Sequence, residues 1–84
     1  MTKNRLKVKI CGENFTLLST MSLAHMKKVA AYVDTEMEKI TIENPKLNQK
    51  KTAILACLNL SEQLFKLQED VRSMEVILAK EQQD

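Results

Sequence analysis

Few side chains in this 84-residue sequence could carry out chemistry on a substrate. His25 is the single histidine, and the only two cysteines, Cys11 and Cys57, are well separated along the chain. A nucleophile needs a neighbouring base, and a structural zinc ion needs four nitrogen or sulfur ligands, so these residues can assemble neither site. We therefore expect no catalytic residue, metal or cofactor. We expect His25 on the surface and both cysteines as free thiols.

The side chains left to recognise a partner are basic groups and one isolated asparagine, Asn59. The candidate basic groups are Arg5, Lys7, Lys9, Lys46, Lys50 and Lys51. Clustered lysines favour an acidic partner, but a solvated surface also explains them, and edge-strand lysines by themselves discourage edge-to-edge pairing of sheets. The net charge is only +2, with 13 basic against 11 acidic residues. This balance argues against a nucleic-acid-binding protein.

A predicted β-hairpin over residues 5–18 positions the first basic cluster. Leu6, Val8 and Ile10 alternate with the basic residues between them, which is the period of a half-buried strand. The only glycine of the chain, Gly12, follows, and the alternation resumes at Phe15. Two alternating runs around a glycine-containing turn predict a hairpin, which must lie on something else to be stable.

A helix of medium length is predicted from about residue 21 to residue 43. Its apolar positions follow steps of three and four residues, which is typical of one buried face; they are Leu23, Met26, Ala30, Val33, Met37 and Ile40. The charged residues, including Glu36, are expected away from this face. Ser19, Thr20 and Ser22 are all acceptable N-caps, and Pro45 disfavours helix at the residue before it.

A second, long helix is predicted from about residue 48, capped by Asn48, and its apolar residues form the seam of a coiled coil. The seam residues are Ala53, Cys57, Leu60, Leu64, Leu67, Val71, Met74 and Leu78. Their alternating steps of four and three residues give the heptad repeat. The rest of so short a chain cannot cover this helix, so we predict that it pairs with another copy. The chain then divides into a globular head, residues 1–66, and a coiled-coil tail, residues 67–84.

A second apolar stripe, Ile54, Leu58 and Phe65, accompanies the seam only near the start of the long helix. The simplest interpretation is that this stripe packs on the head, while the seam faces the second copy. Asn59 lies on a third face of the helix, outside the seam. The residues alone leave open whether Asn59 faces solvent, caps a nearby segment or contacts a partner.

The fold class expected from these elements is α+β, with an N-terminal hairpin, one medium helix and one long helix. No apolar run long enough to span a bilayer or to act as a signal peptide is found, so we expect a cytoplasmic protein that does not engage membranes. Two other classes compete with a self-associating binding protein. A small coiled-coil nucleic-acid-binding or scaffold module is one, and a low-salt gel-shift assay would detect nucleic-acid binding. A small enzyme is the other, but the sequence has no phosphate-binding loop.

Three segments together resemble a known family. They are residues 8–17, VKICGENFTL; residues 29–40, VAAYVDTEMEKI; and residues 54–64, ILACLNLSEQL. In this order and spacing, over roughly residues 5–80, the chain resembles the ZapA family of bacterial cell-division proteins. The third segment is the most specific of the three, since it is similar to the family's Ala-Leu-Asn segment.

The resemblance implies a protein without catalytic activity that binds polymers of the tubulin-like GTPase FtsZ. Proteins of this family promote lateral association of those polymers at the midcell division ring. The resemblance also implies a homodimer with a coiled-coil tail, and long members of the family pair their dimers into tetramers. Asn59 matches the family asparagine near the region implicated in FtsZ contact, so the resemblance favours a partner-binding role for it.

Overall fold

A computed structural model describes residues 3–82 of the protein. Strand β1 (Asn4–Ile10) and strand β2 (Glu13–Ser19) precede helix α1 (Leu23–Glu43) and helix α2 (Gln49–Gln82). A β-hairpin followed by two helices confirms the predicted α+β fold class. The division into a head and a coiled-coil tail stays a prediction, and its outer limits, residues 1–2 and 83–84, lie outside the described residues.

The two strands form an antiparallel hairpin whose register places the apolar residues on one face. Leu6 is paired with Leu17, and Val8 with Phe15. Along β1 the half-buried and exposed positions alternate strictly, with the basic residues on the exposed side. Because β1 is the strand that lies against α1, it is better covered than β2, on which five of seven residues are exposed.

The turn of the hairpin is hydrogen-bonded to both helices. Cys11 and Gly12 both have positive φ angles, 52° and 79°, as a two-residue type I′ turn requires. The Cys11 amide donates to Asp34 Oδ1 of α1 at 2.9 Å, and Gln49 Nε2 of α2 donates to the Cys11 carbonyl at 3.0 Å. These two bonds compensate for the unfavourable left-handed conformation of a non-glycine residue.

Replacing Gly12 by alanine is expected to lower the free energy of unfolding by about 1 kcal/mol. A Cβ atom at Gly12 would meet nothing within 4 Å, so the loss comes from the backbone conformation alone. Gly12→Asn serves as the control, because asparagine tolerates positive φ better and should lose less. Chemical denaturation measures both values, and equal losses for the two variants would contradict this explanation.

Helix α1 begins and ends at the signals found in the sequence. The Ser22 hydroxyl accepts from the His25 amide at 3.2 Å, so Ser22 is the N-cap, and Asn44, just before the proline, is the C-cap. His25 is exposed, as expected. Four of the six predicted stripe residues are buried, and these are Met26, Ala30, Met37 and Ile40. Leu23, at the start of the helix, remains 46% exposed.

The hydrophobic core between the helices is small. Met37, Ile40 and Ala56 are its buried centre, and the half-buried apolar residues around it are Ile10, Cys11, Val33, Leu47 and Ala53. Helix α2 starts at its predicted cap, since Asn48 Oδ1 accepts from the Lys51 amide at 2.8 Å. Its buried positions are Thr52 and Ala56, both 2% exposed. Small side chains here let α2 approach α1 closely.

The fold is flat, since its Cα atoms extend over 55 × 39 × 14 Å. The hairpin and α2 both pack on α1, so α1 covers only one side of each of them. The second sides of the hairpin and of α2 therefore remain open, which leaves large apolar side chains exposed along both.

Candidate self-association and partner-binding surfaces

Most of the predicted seam on α2 is exposed. Its exposed members are Cys57, Leu64, Leu67, Val71, Met74 and Leu78. Ala53 and Leu60 are half buried instead, and Ala53 packs against the core of its own chain. The first part of the seam is therefore shared between α1 and the open surface, while the part beyond Leu60 is available in full.

The interpretation that Ile54, Leu58 and Phe65 pack on the head is wrong. These side chains are 51%, 57% and 63% exposed, and they lie on the side of α2 that faces away from α1. The small residues Thr52 and Ala56 are buried in their place, and Ala56 packs with Met37 and Ile40 of α1. Together with Cys57 and Leu64, the stripe forms one broad apolar face on the start of α2.

The far end of α2 is apolar on more than its seam. Met74 and Leu78 continue the heptad positions and are 64% and 57% exposed. Val76 and Ile77 lie outside the heptad positions, on other sides of the helix, and are 50% and 57% exposed. A single partner helix along the seam would cover only the first pair.

A hydrogen-bonded cluster marks the place where α2 leaves α1. The Tyr32 hydroxyl donates to Gln63 Oε1, and Gln63 Nε2 donates to Glu36 Oε1 at 3.2 Å. Lys39 Nζ lies 3.9 Å from the same carboxylate oxygen. Glu36 is only 7% exposed, which corrects the expectation that it lies away from the buried face. Its carboxylate is tolerated there because both neighbours supply donors.

Asn59 lies beside this cluster, on the edge of α2 next to α1. It is exposed and lines a shallow groove with Glu36, Glu62, Gln63 and Lys66. Its side chain makes no hydrogen bond to any residue of the described range 3–82. The position therefore excludes a capping role within residues 3–82 and leaves the amide free to bind a partner or water.

The two basic clusters are distant in sequence, but their nearest members lie toward the same end of the molecule. Arg5, Lys7 and Lys9 are exposed on the outer face of β1. The exposed residues Lys46, Lys50 and Lys51 lie at the start of α2. The bond from Gln49 to Cys11 brings this helix start next to the hairpin tip, so Lys9 and Lys50 are close to the same junction. Asn59 is about 15 Å further along α2.

The described residues contain no group of three or more acidic, histidine or cysteine side chains that could hold a metal ion. Cys11 is half buried and Cys57 is exposed, and both are free thiols. Within residues 3–82, neither helix combines the length and the apolar content needed to cross a membrane. The open surfaces are thus apolar faces and basic clusters.

Comparison with known proteins decides the family. The family model described as cell division protein ZapA matches residues 6–83 of this chain. The chain belongs to the ZapA family. The match includes both strands from Leu6 onward and both helices, so the identification rests on the whole fold and not on one motif.

Individual ZapA proteins support this assignment. The ZapA protein of Geobacillus kaustophilus is 35% identical over 79 residues, covering 94% of this chain and 87% of the relative. That of Bacillus subtilis is 38% identical over 73 residues, covering 87% and 86%. A solved structure described as a ZapA mutant dimer from Geobacillus stearothermophilus superposes with a TM-score of 0.72 at 31% identity. The superposition covers 93% of this chain and 91% of the Geobacillus stearothermophilus chain.

Proposed function

We propose that this ZapA-family chain is a non-enzymatic cell-division protein that binds FtsZ polymers at the midcell ring and links them side by side. The observation that carries the proposal is the open, flat fold, which leaves the large apolar side chains along α2 exposed. Such a surface needs a second protein to cover it. The family and the dimeric ZapA structure support another copy of the same chain as that protein.

The surface proposed for the homodimer is the seam of α2 together with the adjacent stripe. Leu64 and Leu67 lie at the middle of the seam, beyond the last half-buried residue of α2. Phe65 and Leu58 extend the apolar face away from α1. A two-fold symmetric pairing buries the same residues of both copies, which suits a heptad repeat.

The exposed apolar residues at the far end of α2 support a dimer of dimers. Val76 and Ile77 lie outside the heptad positions and would stay exposed in a two-stranded coil. A bundle of four helices covers more sides of each helix than a pair does. We therefore propose that dimers join through this end, which would place a head at each end of the assembly when the pairs run antiparallel.

The proposed FtsZ-binding groups are the basic clusters near the junction of the hairpin tip and α2, together with Asn59 further along α2. Lys50 and Lys51 lie in the first turn of α2, where cations oppose the positive end of the helix dipole. Residues that are unfavourable for local stability, as these two lysines are, often serve a function. Repetition of one weak site on each protomer gives useful affinity for a filament, because each further contact is intramolecular.

Co-sedimentation with FtsZ tests the proposal. The protein is expected to pellet with FtsZ in the presence of GTP and to increase light scattering, and high salt is expected to reduce both because the contacts are ionic. Asn59→Ala is expected to weaken pelleting by about tenfold while circular dichroism and oligomer mass stay unchanged, because the Asn59 side chain makes no hydrogen bond within residues 3–82.

The matched control is Ser73→Ala, which removes a small polar side chain from an exposed position on the same face of α2, two heptads beyond Asn59. It should pellet like the natural protein. Absence of GTP-dependent pelleting by the natural protein contradicts the proposed function as a whole. Normal pelleting by Asn59→Ala removes only that residue from the binding surface.

A further inference from the structure

Strand β2 is an open edge of the sheet. Within residues 3–82 the sheet has two strands, and β1 is the one that lies against α1. In a two-residue hairpin the pair next to the turn, here Ile10 and Glu13, exchanges both hydrogen bonds, and bonded and non-bonded pairs then alternate. The backbone groups of Asn14, Thr16 and Leu18 therefore point away from β1.

The edge lacks the features with which proteins usually protect exposed strands. Between Asn14 and Leu18 the sequence reads NFTLL, without a charge, a proline or a bulge. An exposed strand of this composition is a template for another strand. Phe15 and Leu18 on this strand are 44% and 57% exposed, so the side chains are available as well as the backbone.

An apolar groove runs beside this edge. Leu17 and Leu18 of β2, Met21 of the following loop, and Met26 and Val29 of α1 line it. Val29 and Met21 are each 41% exposed, whereas Met26 forms the buried floor. A strand added to β2 would direct every second side chain toward this side of the sheet.

The opposite face of the sheet is basic. Arg5, Lys7 and Lys9 are exposed there, next to Leu18, Thr16 and Asn14 in the register. A third strand would lie about 10 Å from β1, a distance that long basic side chains can span with their flexible stems. The other side chains of an added strand would therefore meet positive charge.

We propose that the edge of β2 binds an extended segment of a partner protein as a third strand, and that this segment alternates apolar and acidic side chains. Its apolar residues enter the groove, and its acidic residues pair with the basic face. Acidic partners are favoured over a second copy of this chain, because pairing two β2 edges would bring two basic faces onto one sheet. The inference deepens the proposed function by defining how the basic hairpin face recognises a partner.

The test uses a short fluorescein-labelled peptide of alternating glutamate and valine, measured by fluorescence anisotropy at low salt. Thr16→Pro removes an outward N–H and leaves the bonds to β1 in place, so it should bind the peptide at least about tenfold more weakly. Thr16→Val keeps the N–H and should bind like the natural protein. A peptide of alternating glutamine and valine should bind the natural protein about tenfold more weakly than the acidic one.

Amide hydrogen exchange on the natural protein keeps the test decisive if Thr16→Pro fails to fold. The acidic peptide should slow exchange at Asn14, Thr16 and Leu18. Unchanged exchange, equal binding by both peptides, or equal binding by both Thr16 variants overturns the proposal. Protection that rises with protein concentration without peptide also overturns it, since a second copy would then occupy the edge. FtsZ is absent from these measurements, so their failure is distinct from failure of the proposed function.

Discussion

Replacing Leu64 by glutamate is expected to convert the protein from an oligomer into a monomer at micromolar concentration. Leu64 is 52% exposed in the single chain and lies at the centre of the proposed interface. In a coiled coil it would be enclosed by the partner helix, so the variant would bury two unpaired carboxylates at a symmetric contact. We expect dimerisation to weaken at least about a hundredfold, measured by sedimentation equilibrium.

Two further variants define what this result means. Leu67→Glu occupies the next seam position and should have the same effect. Lys66→Glu lies between them but off the seam, and it changes the net charge more than either leucine variant does. It should keep the oligomer mass. If Leu64→Glu keeps its oligomer mass, the heptad assignment is contradicted. If Lys66→Glu becomes monomeric, the loss of self-association is caused by the change in net charge and not by the seam.

The variant Ile40→Ala should have the largest effect on the stability of the head. Ile40 is 5% exposed and belongs to the small cluster that holds α2 on α1. Truncating a buried isoleucine costs about 2–5 kcal/mol, which is a large part of the total stability of a small domain. Thermal unfolding followed by circular dichroism should show a strongly lowered midpoint.

Ile42→Ala is the matched control, because it makes the same substitution two residues along the same helix at a side chain that is 73% exposed. It should change stability little. Since folding and association are linked in an oligomer, both variants must be compared at one protein concentration. Equal losses from both would mean that a contact outside this chain, and not the described core, stabilises α1.

The local structure could be predicted from the sequence because each element has its own repeat of apolar residues and its own turn or capping residues at its ends. Alternation around Gly12 predicted the hairpin, and steps of three and four predicted both helices. Ser22 and Asn48 could be recognised as caps because a cap is a contact between residues close in sequence. The family resemblance added a function that no single side chain indicates.

The tertiary structure decided which side of α2 meets α1. The sequence offers two apolar stripes at the start of this helix, and burying either one removes apolar surface from water, so periodicity cannot rank them. The third face of α2, with Thr52 and Ala56, is the buried one because its small side chains allow the two helices to approach closely. Ile54 and Phe65 were left exposed as a result.

The other decisions of the tertiary structure concern residues that are distant along the chain. Glu36 could be buried only because Gln63, from the other helix, donates to it. Lys9 and Lys50 share one end of the molecule because Gln49 binds the turn at Cys11. Sequence patterns describe neighbours along one element. Contacts between elements depend on how the whole chain packs, and only the folded structure fixes them.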